Sequence, residues 1–437
     1  MHSSRNAQSI FMITVYSSVK SSRLEYVLHF IFENLLEIEF KWTQDSTNLE
    51  GVILNYSDEI LPFQNYQIQP SGFLVDGNWD FKKYIFLKNK SNYFFPQEKG
   101  DHDFDILSSI FFIISRMEEY YTKDYDEHQR FISSNSSLVK LNLEQNPIVD
   151  QWCFSLLSQL NAKFNVEITS PRKFHQYPTF DIDNAYAFKY KGFSRSFGSF
   201  FKDLISFRFY KLKQRLEFLV GKIKDPYDNY DYILEFLKTN QLKSIFFFLL
   251  GDYAKMDKNI NHKHPYLINL IRSISKKHLT GIHPSYTSFN NLEILKMEIS
   301  RIDKITSKTS ISRFHYLKFN FPTSYQILLK AGIKQDYSMG FSDRIGFRAG
   351  TCTPFYFYDL ENECTTDLKI FPFAYMDGVL NDKLNMTPEY SSKLISKIKH
   401  EVRKVNGAFN AVWHNESLSN QDRWKGWRSV FETTWLD

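Results

Sequence analysis

Four stretches beyond the first third of this chain end an apolar run in side chains that can carry chemistry. Tyr177-Pro178-Thr179-Phe180 leads into Asp181-Ile182-Asp183, and His278-Leu279-Thr280-Gly281-Ile282 leads into His283-Pro284-Ser285-Tyr286. Ser310-Ile311-Ser312 leads into Arg313-Phe314-His315, and Phe409-Asn410-Ala411-Val412-Trp413 into His414-Asn415-Glu416. Side chains two apart on a strand share a face, so Asp181 with Asp183, and Arg313 with His315, are expected to point together. If the four runs are parallel strands, their C-terminal ends converge, and two carboxylates, three histidines and an arginine share one mouth. Such groups ligate metals and move protons.

The elements that must position them read as strand followed by helix, repeated. Ser244–Leu250 is an apolar run of strand length, and Pro265–Ser275 has helical spacing. His278–His283, Ser310–Leu317 and Gln335–Met339 are expected strands. Leu292, Leu295, Ile299 and Ile302 mark one helical face, and Ser324–Ala331 a further helix. Thr387-Pro388-Glu389 supplies an N-cap, a first-turn proline and a first-turn carboxylate for a helix stopping at Gly407, before a buried strand Ala408–Trp413. This alternation predicts a parallel sheet covered by helices, as an open sheet or a barrel. The first third reads as a smaller α/β unit: strands at Ile10–Val15, Gly51–Tyr56 and Tyr84–Leu87, helical spacing from Leu24 to Leu36, and helices at Phe104–Met117 and Val149–Leu160. The expected division is 1–165, of unknown role, and 166–437, which carries the mouth.

The motifs resemble the polysaccharide deacetylase family, metal-dependent carbohydrate esterases that include chitin, chitooligosaccharide and peptidoglycan deacetylases. Thr179-Phe180-Asp181-Ile182-Asp183 is similar to the family's first motif, and His283 to the metal-binding histidine of its second. Arg313 is similar to the arginine that opens its third, and His414 to the strand-end histidine of its last. Gly281–Tyr286, Arg313–Leu317 and Asp336–Gly340 leading to Gly346–Thr351 are similar to a bacterial branch whose N-terminal extension has no assigned function. The resemblance spans about residues 175 to 420. It implies an α/β fold, a distorted, incomplete (β/α) barrel of the polysaccharide deacetylase type, and hydrolytic removal of acetyl groups from N-acetylated amino sugars of a polysaccharide or its precursor.

The chain departs from the family at two positions: Ile182 stands where a second consecutive Asp is usual, and Thr287 where the second motif has another His. The resemblance therefore implies Asp183 and His283 as ligands, and His315, which the family's third motif lacks, is expected to restore a two-histidine, one-carboxylate set. That set suits Zn²⁺, with Co²⁺ or Ni²⁺ competing. Asp181 is implied as general base, His414 as the acid that protonates the departing amine, and Arg313 and Arg348 as holding Asp181 by charge-assisted bonds. The same two departures support a rival reading, a non-catalytic glycan-binding or assembly protein without metal competence. A second rival keeps the hydrolase and acts on a small amide.

Composition bounds the remainder. The chain has 437 residues with net charge +5, and 43% hydrophobic and 24% charged residues, close to ordinary soluble averages. Phe, Tyr and Trp reach 17%, an excess that fits codon bias as well as function. The positive charge is local: Lys189 to Lys224 holds ten basic and two acidic residues interleaved with Phe and Leu, so no nucleic-acid partner is expected. That amphipathic segment reads either as a helix packed on the barrel with a solvated basic face or as an interfacial segment for anionic lipid. Three cysteines without metal or redox spacing point to a reducing compartment, and no stretch has the length of a membrane span. A cytoplasmic protein, peripheral at the inner membrane face in the second case, is expected. His262 and His264 receive no role, and Cys352 reads as a buried small residue.

Overall fold

The structure, a computed structural model, describes residues 12–80, 94–192, 198, 200–201 and 204–436. The apolar run at Ile13–Ser17 forms β1, buried at every position because strands lie on both sides of it. These are β2 (Phe40–Thr43) and β3 (Val52–Tyr56), and β4 (Tyr66–Gln67) completes a parallel sheet of order β2-β1-β3-β4. Ser21 caps the helix Ser22–His29 by accepting from the Leu24 N–H, and the helix continues as π-helix over Phe30–Leu35. The expected strand at 84–87 lies outside the described residues. The helix expected over Phe104–Met117 forms at Ile106–Ile114, started by the Asp105 side chain, and all nine of its residues are buried.

The second sheet has eight strands: β5 (His175–Ile182), β6 (Ile245–Phe248), β7 (Leu279–Ile282), β8 (Ile311–Ser312), β9 (Gln335–Asp336), β10 (Phe355–Asp359), β11 (Cys364–Ile370) and β12 (Ala408–His414). Their order is β10-β11-β9-β8-β7-β6-β5-β12, curled into an open half-barrel. Every neighbouring pair is parallel except β10 with β11. That hairpin was not expected from the alternation. Only four residues join the two strands, too few for a parallel crossover, so they pair antiparallel at the sheet edge. Strands β6 and β8 approach β7 closely at Gly281, where a Cβ would lie 2.8 Å from both the Ile311 carbonyl oxygen and the Phe247 ring.

One expected element is shorter than its apolar pattern. The strand read over Ser310–Leu317 stops at Ser312, and His315–Leu317 is a 3₁₀ turn with Tyr316 in the left-handed region (φ 60°). Arg313 and His315 therefore do not share a strand face. The helix Pro388–Lys404 starts as its sequence predicts, the Thr387 side chain accepting from the Tyr390 N–H with Pro388 in the first turn.

A single hydrophobic cluster runs from Ile13 and Leu54 through Ile113 and Leu156 to Phe180, Phe357 and Trp413, so the two sheets share one core. Buried polar groups join them as well. Asp150, on the helix Ile148–Phe164, accepts from the Thr351 hydroxyl (2.6 Å) and from Arg172 (3.1 Å).

Candidate metal centre

The C-terminal ends of β5, β7, β8 and β12 place the ionisable groups in one mouth. Asp181 is the penultimate residue of β5 and is buried, and Asp183 is the first residue past it. Ile182, between them, points the other way into the hydrophobic core, as the strand period requires. His283 follows β7, Arg313 follows β8, and His414 is the last residue of β12.

One ligand atom each from Asp183, His283 and His315 lies within 4.8 Å of the other two. Nδ1 of His283 is 2.6 Å from the Arg313 carbonyl oxygen, which can only accept, so that nitrogen carries the proton. Nδ1 of His315 is 2.9 Å from Asp257 Oδ1 and donates likewise. In each neutral ring Nε2 is then a lone pair, and both face Asp183: His283 at 3.0 Å from Oδ1 and His315 at 3.4 Å from Oδ2. Asp183 Oδ1 is buried without any hydrogen-bond donor. Three lone-pair atoms so close together repel unless a cation sits among them, and a two-histidine, one-carboxylate set is a donor set for a divalent transition metal. In the metal-free protein a proton takes that part. Burial alone would lower the His315 pKa, but Asp183 and Asp257 on either side push it up to about 9. Burial opposes ionisation of Asp183 too, yet the flanking imidazoles hold it well below the usual carboxylate range.

Asp257 was not anticipated from the sequence. It is fully buried and accepts four hydrogen bonds: from His315, from the Tyr286 N–H (2.8 Å), and from the Thr287 N–H (3.2 Å) and hydroxyl (2.9 Å). Thr287 thus supports the carboxylate that orients His315. Nothing in the Asn- and Lys-rich loop around Asp257 distinguishes it from a surface acid.

Asp377 is the second residue missed. His414 Nδ1 lies 2.7 Å from its Oδ1, and the His414 backbone N–H donates to its Oδ2 at 2.7 Å. Burial disfavours the imidazolium, but Asp377 outweighs it, with Asp183 and Asp181 adding, and raises the His414 pKa well above the ordinary histidine value. The other ring nitrogen is 3.7 Å from Asp183 Oδ2. The run Ala374-Tyr375-Met376 before Asp377 has the same apolar-then-ionisable pattern as the other strand ends. That signal was available.

Arg313 is fully buried and donates from each of its three nitrogens. Nε donates to the Tyr337 carbonyl (2.9 Å), Nη1 to Asp181 Oδ1 (2.7 Å) and Nη2 to Thr179 Oγ1 (2.7 Å), with the guanidinium over the Phe247 ring at 4.4 Å. Its side chain therefore fixes Asp181, while its carbonyl fixes His283. Asp181 Oδ2 lies 3.9 Å from His283 Nε2. Arg348 is elsewhere, contrary to the expectation that it holds Asp181. Its Nε donates to Glu119 Oε1 (2.9 Å), its Nη2 to Glu119 Oε2, and its Nη1 to the Gly340 carbonyl. The buried Glu119 carboxylate, which Arg116 also engages, claims that guanidinium. Cys352 is buried beside Asp150, and burial pushes its thiol pKa well up.

The first third also reaches the mouth. Arg130 Nη1 donates to the Tyr316 carbonyl (2.9 Å), and the His128 ring lies 5.2 Å from Tyr316 and 5.8 Å from Tyr286. A cavity of about 940 Å³ opens at the opposite pole, where β5 to β7 begin, and none of the convergent groups lines it.

The first third matches a family of unknown function (DUF7033), over residues 13–165. No curated protein matches the chain. Among solved structures it is similar to one described as "putative polysaccharide deacetylase from Mycobacterium smegmatis", at 15% identity and a TM-score of 0.38, covering 62% of this chain and 86% of that one.

Proposed function

We propose that the protein is a metal-dependent hydrolase that removes acetyl groups from N-acetylated amino sugars of a polysaccharide or its precursor. The observation that carries this reading is Asp183 set between two oriented imidazoles, its buried, donor-less Oδ1 facing His283 and its Oδ2 facing His315, beside a second carboxylate with its own arginine. Asp183, His283 and His315 would hold Zn²⁺ or a related divalent ion. An acetamide is a poor electrophile and water a poor nucleophile near neutrality, and such an ion supplies polarisation of the carbonyl and a lowered water pKa. Asp181, oriented by Arg313, takes the proton from the attacking water. His414, kept charged by Asp377, gives its proton to the departing amine, so that acetate and a free amino sugar result. Tyr286, Tyr316 and His128 offer flat faces at the rim for sugar rings.

Metal analysis of the purified protein, together with acetate release from N- and O-acetylated amino sugars and from simple acetamides, tests the reading. One equivalent of metal, removed by chelator and lost in His283→Ala, is expected. Asp181→Asn is expected to keep the metal while acetate release falls by about 10²–10⁴-fold. A folded protein that takes up no metal would favour the glycan-binding alternative.

A further inference from the structure

The excursion between β5 and β6 contains a helix, Phe209–Leu219, mounted with its apolar row outward. Positions seven and eleven apart share a helical face, so Phe209, Leu216 and Val220 form one stripe, with Leu219 at its edge. Ile205, Phe207, Phe209, Leu216, Leu219 and Val220 are each between 50% and 77% exposed. The opposite side makes the contacts with the body. Phe218 packs on Phe188 (5.4 Å), the Arg215 guanidinium lies over the same ring (5.0 Å), and Gln214 donates to Asp422 (2.9 Å). Within the helix only Leu212 is buried. Water is a poor partner for such a row, and contiguous apolar patches of this kind mark interaction sites.

Charge identifies the partner. From 204 to 224 six cations, Arg208, Lys211, Lys213, Arg215, Lys222 and Lys224, accompany one carboxylate, Glu217. Aromatic and aliphatic side chains flanked by lysine and arginine on a surface helix suit the headgroup boundary of an anionic bilayer. We infer that Ile205 to Val220 is a docking surface for an anionic lipid membrane. The excursion leaves from Asp183, and Asp225 ties its far end back by accepting the N–H groups of Ala187, Phe188 and Lys189 at 2.8 to 2.9 Å. Asn229 then donates to the carbonyl of Asn415, next to His414 (2.8 Å). Both ends of the excursion are thus anchored beside the residues of the metal centre.

Flotation of the full chain with phosphatidylcholine vesicles, with and without phosphatidylglycerol, tests the inference. Co-flotation with the anionic vesicles alone is expected, weakening with added salt. Two variants, F207E/F209E/L216E and K211E/K213E, are expected to stay at the bottom of the gradient while keeping the parent melting temperature. Failure of the parent to float overturns the inference, and so does equal flotation of folded variants. Neither result bears on acetate release from soluble substrates, so the surface and the deacetylase reading fail separately.

Discussion

Replacing Asp257 by asparagine tests whether the carboxylate behind His315 sets the affinity of the metal centre. Four donors converge on Asp257, and all four sites are buried or partly buried. An amide offers one oxygen for these donors and puts an NH₂ where the second oxygen stood. With the amide oxygen toward His315 and Tyr286, the NH₂ faces Thr287, whose hydroxyl can rotate to accept. One backbone N–H is then left without a partner, at a stability cost of about 1–3 kcal/mol. His315 keeps its tautomer but donates to a neutral oxygen, which weakens Nε2 as a ligand. With the amide reversed, His315 must surrender its Nδ1 proton and place it on Nε2, and that nitrogen no longer binds metal. Loss of a carboxylate partner of this kind typically costs 10–100-fold in metal affinity, about 1.4–2.7 kcal/mol. Competition against a chromogenic chelator with Zn²⁺ or Co²⁺ measures it directly. Thr287→Ala, which removes one donor and leaves the charge, is expected to lose less. An Asp257→Asn protein that is folded and binds metal as tightly as the parent would refute the reasoning.

Three further outcomes follow from buried charges. Asp377 raises the pKa of His414, and a general acid acts only while protonated, so Asp377→Asn is expected to move the alkaline limb of the kcat/KM–pH profile to lower pH. A limb that stays in place removes His414 from that role. Glu119→Gln leaves the buried guanidiniums of Arg348 and Arg116 without a counter-charge, and a loss of about 3–5 kcal/mol is expected in urea titration, with metal affinity retained. A loss of metal along with stability would show that Arg348 serves the mouth after all. Burial pushes the Asp336 carboxyl up to about 6, against the hydrogen bonds from Ser338 and Ser312 and the charge of Arg313. The folded protein then binds this proton more tightly than the unfolded chain does. That contribution is present at low pH and is lost as pH rises through about 6. Comparing chemical denaturation of the parent and Asp336→Asn, the parent should gain relative stability as pH falls from about 6 toward 4.

Much of the second sheet was legible because a parallel strand buried on both faces reads as an apolar run, as β6 does throughout and β12 over most of its length, while β5 and β7 are buried toward their C-terminal ends. The expectation over Ser310–Leu317 overran because apolar content does not report where a strand ends. Phe314 and Leu317 are buried, but in a turn. The β10–β11 hairpin escaped because half of β11 faces solvent and its pattern carries little burial.

The amino-acid order alone determines which side chains stand at strand ends, since β periodicity and apolar runs are local properties. It thereby singles out Asp181, Asp183, His283, Arg313, His315 and His414. Partnership is not local. Asp257 lies 58 residues from His315, Asp377 lies 37 from His414, and Glu119 lies 229 from Arg348. A buried charge is satisfied by whichever opposite group the fold brings within hydrogen-bonding distance. Only the tertiary structure could therefore assign Arg348 to Glu119, give Thr287 its place behind His315, and set the two oxygens of Asp183 each against an imidazole, Oδ1 without a proton donor of its own.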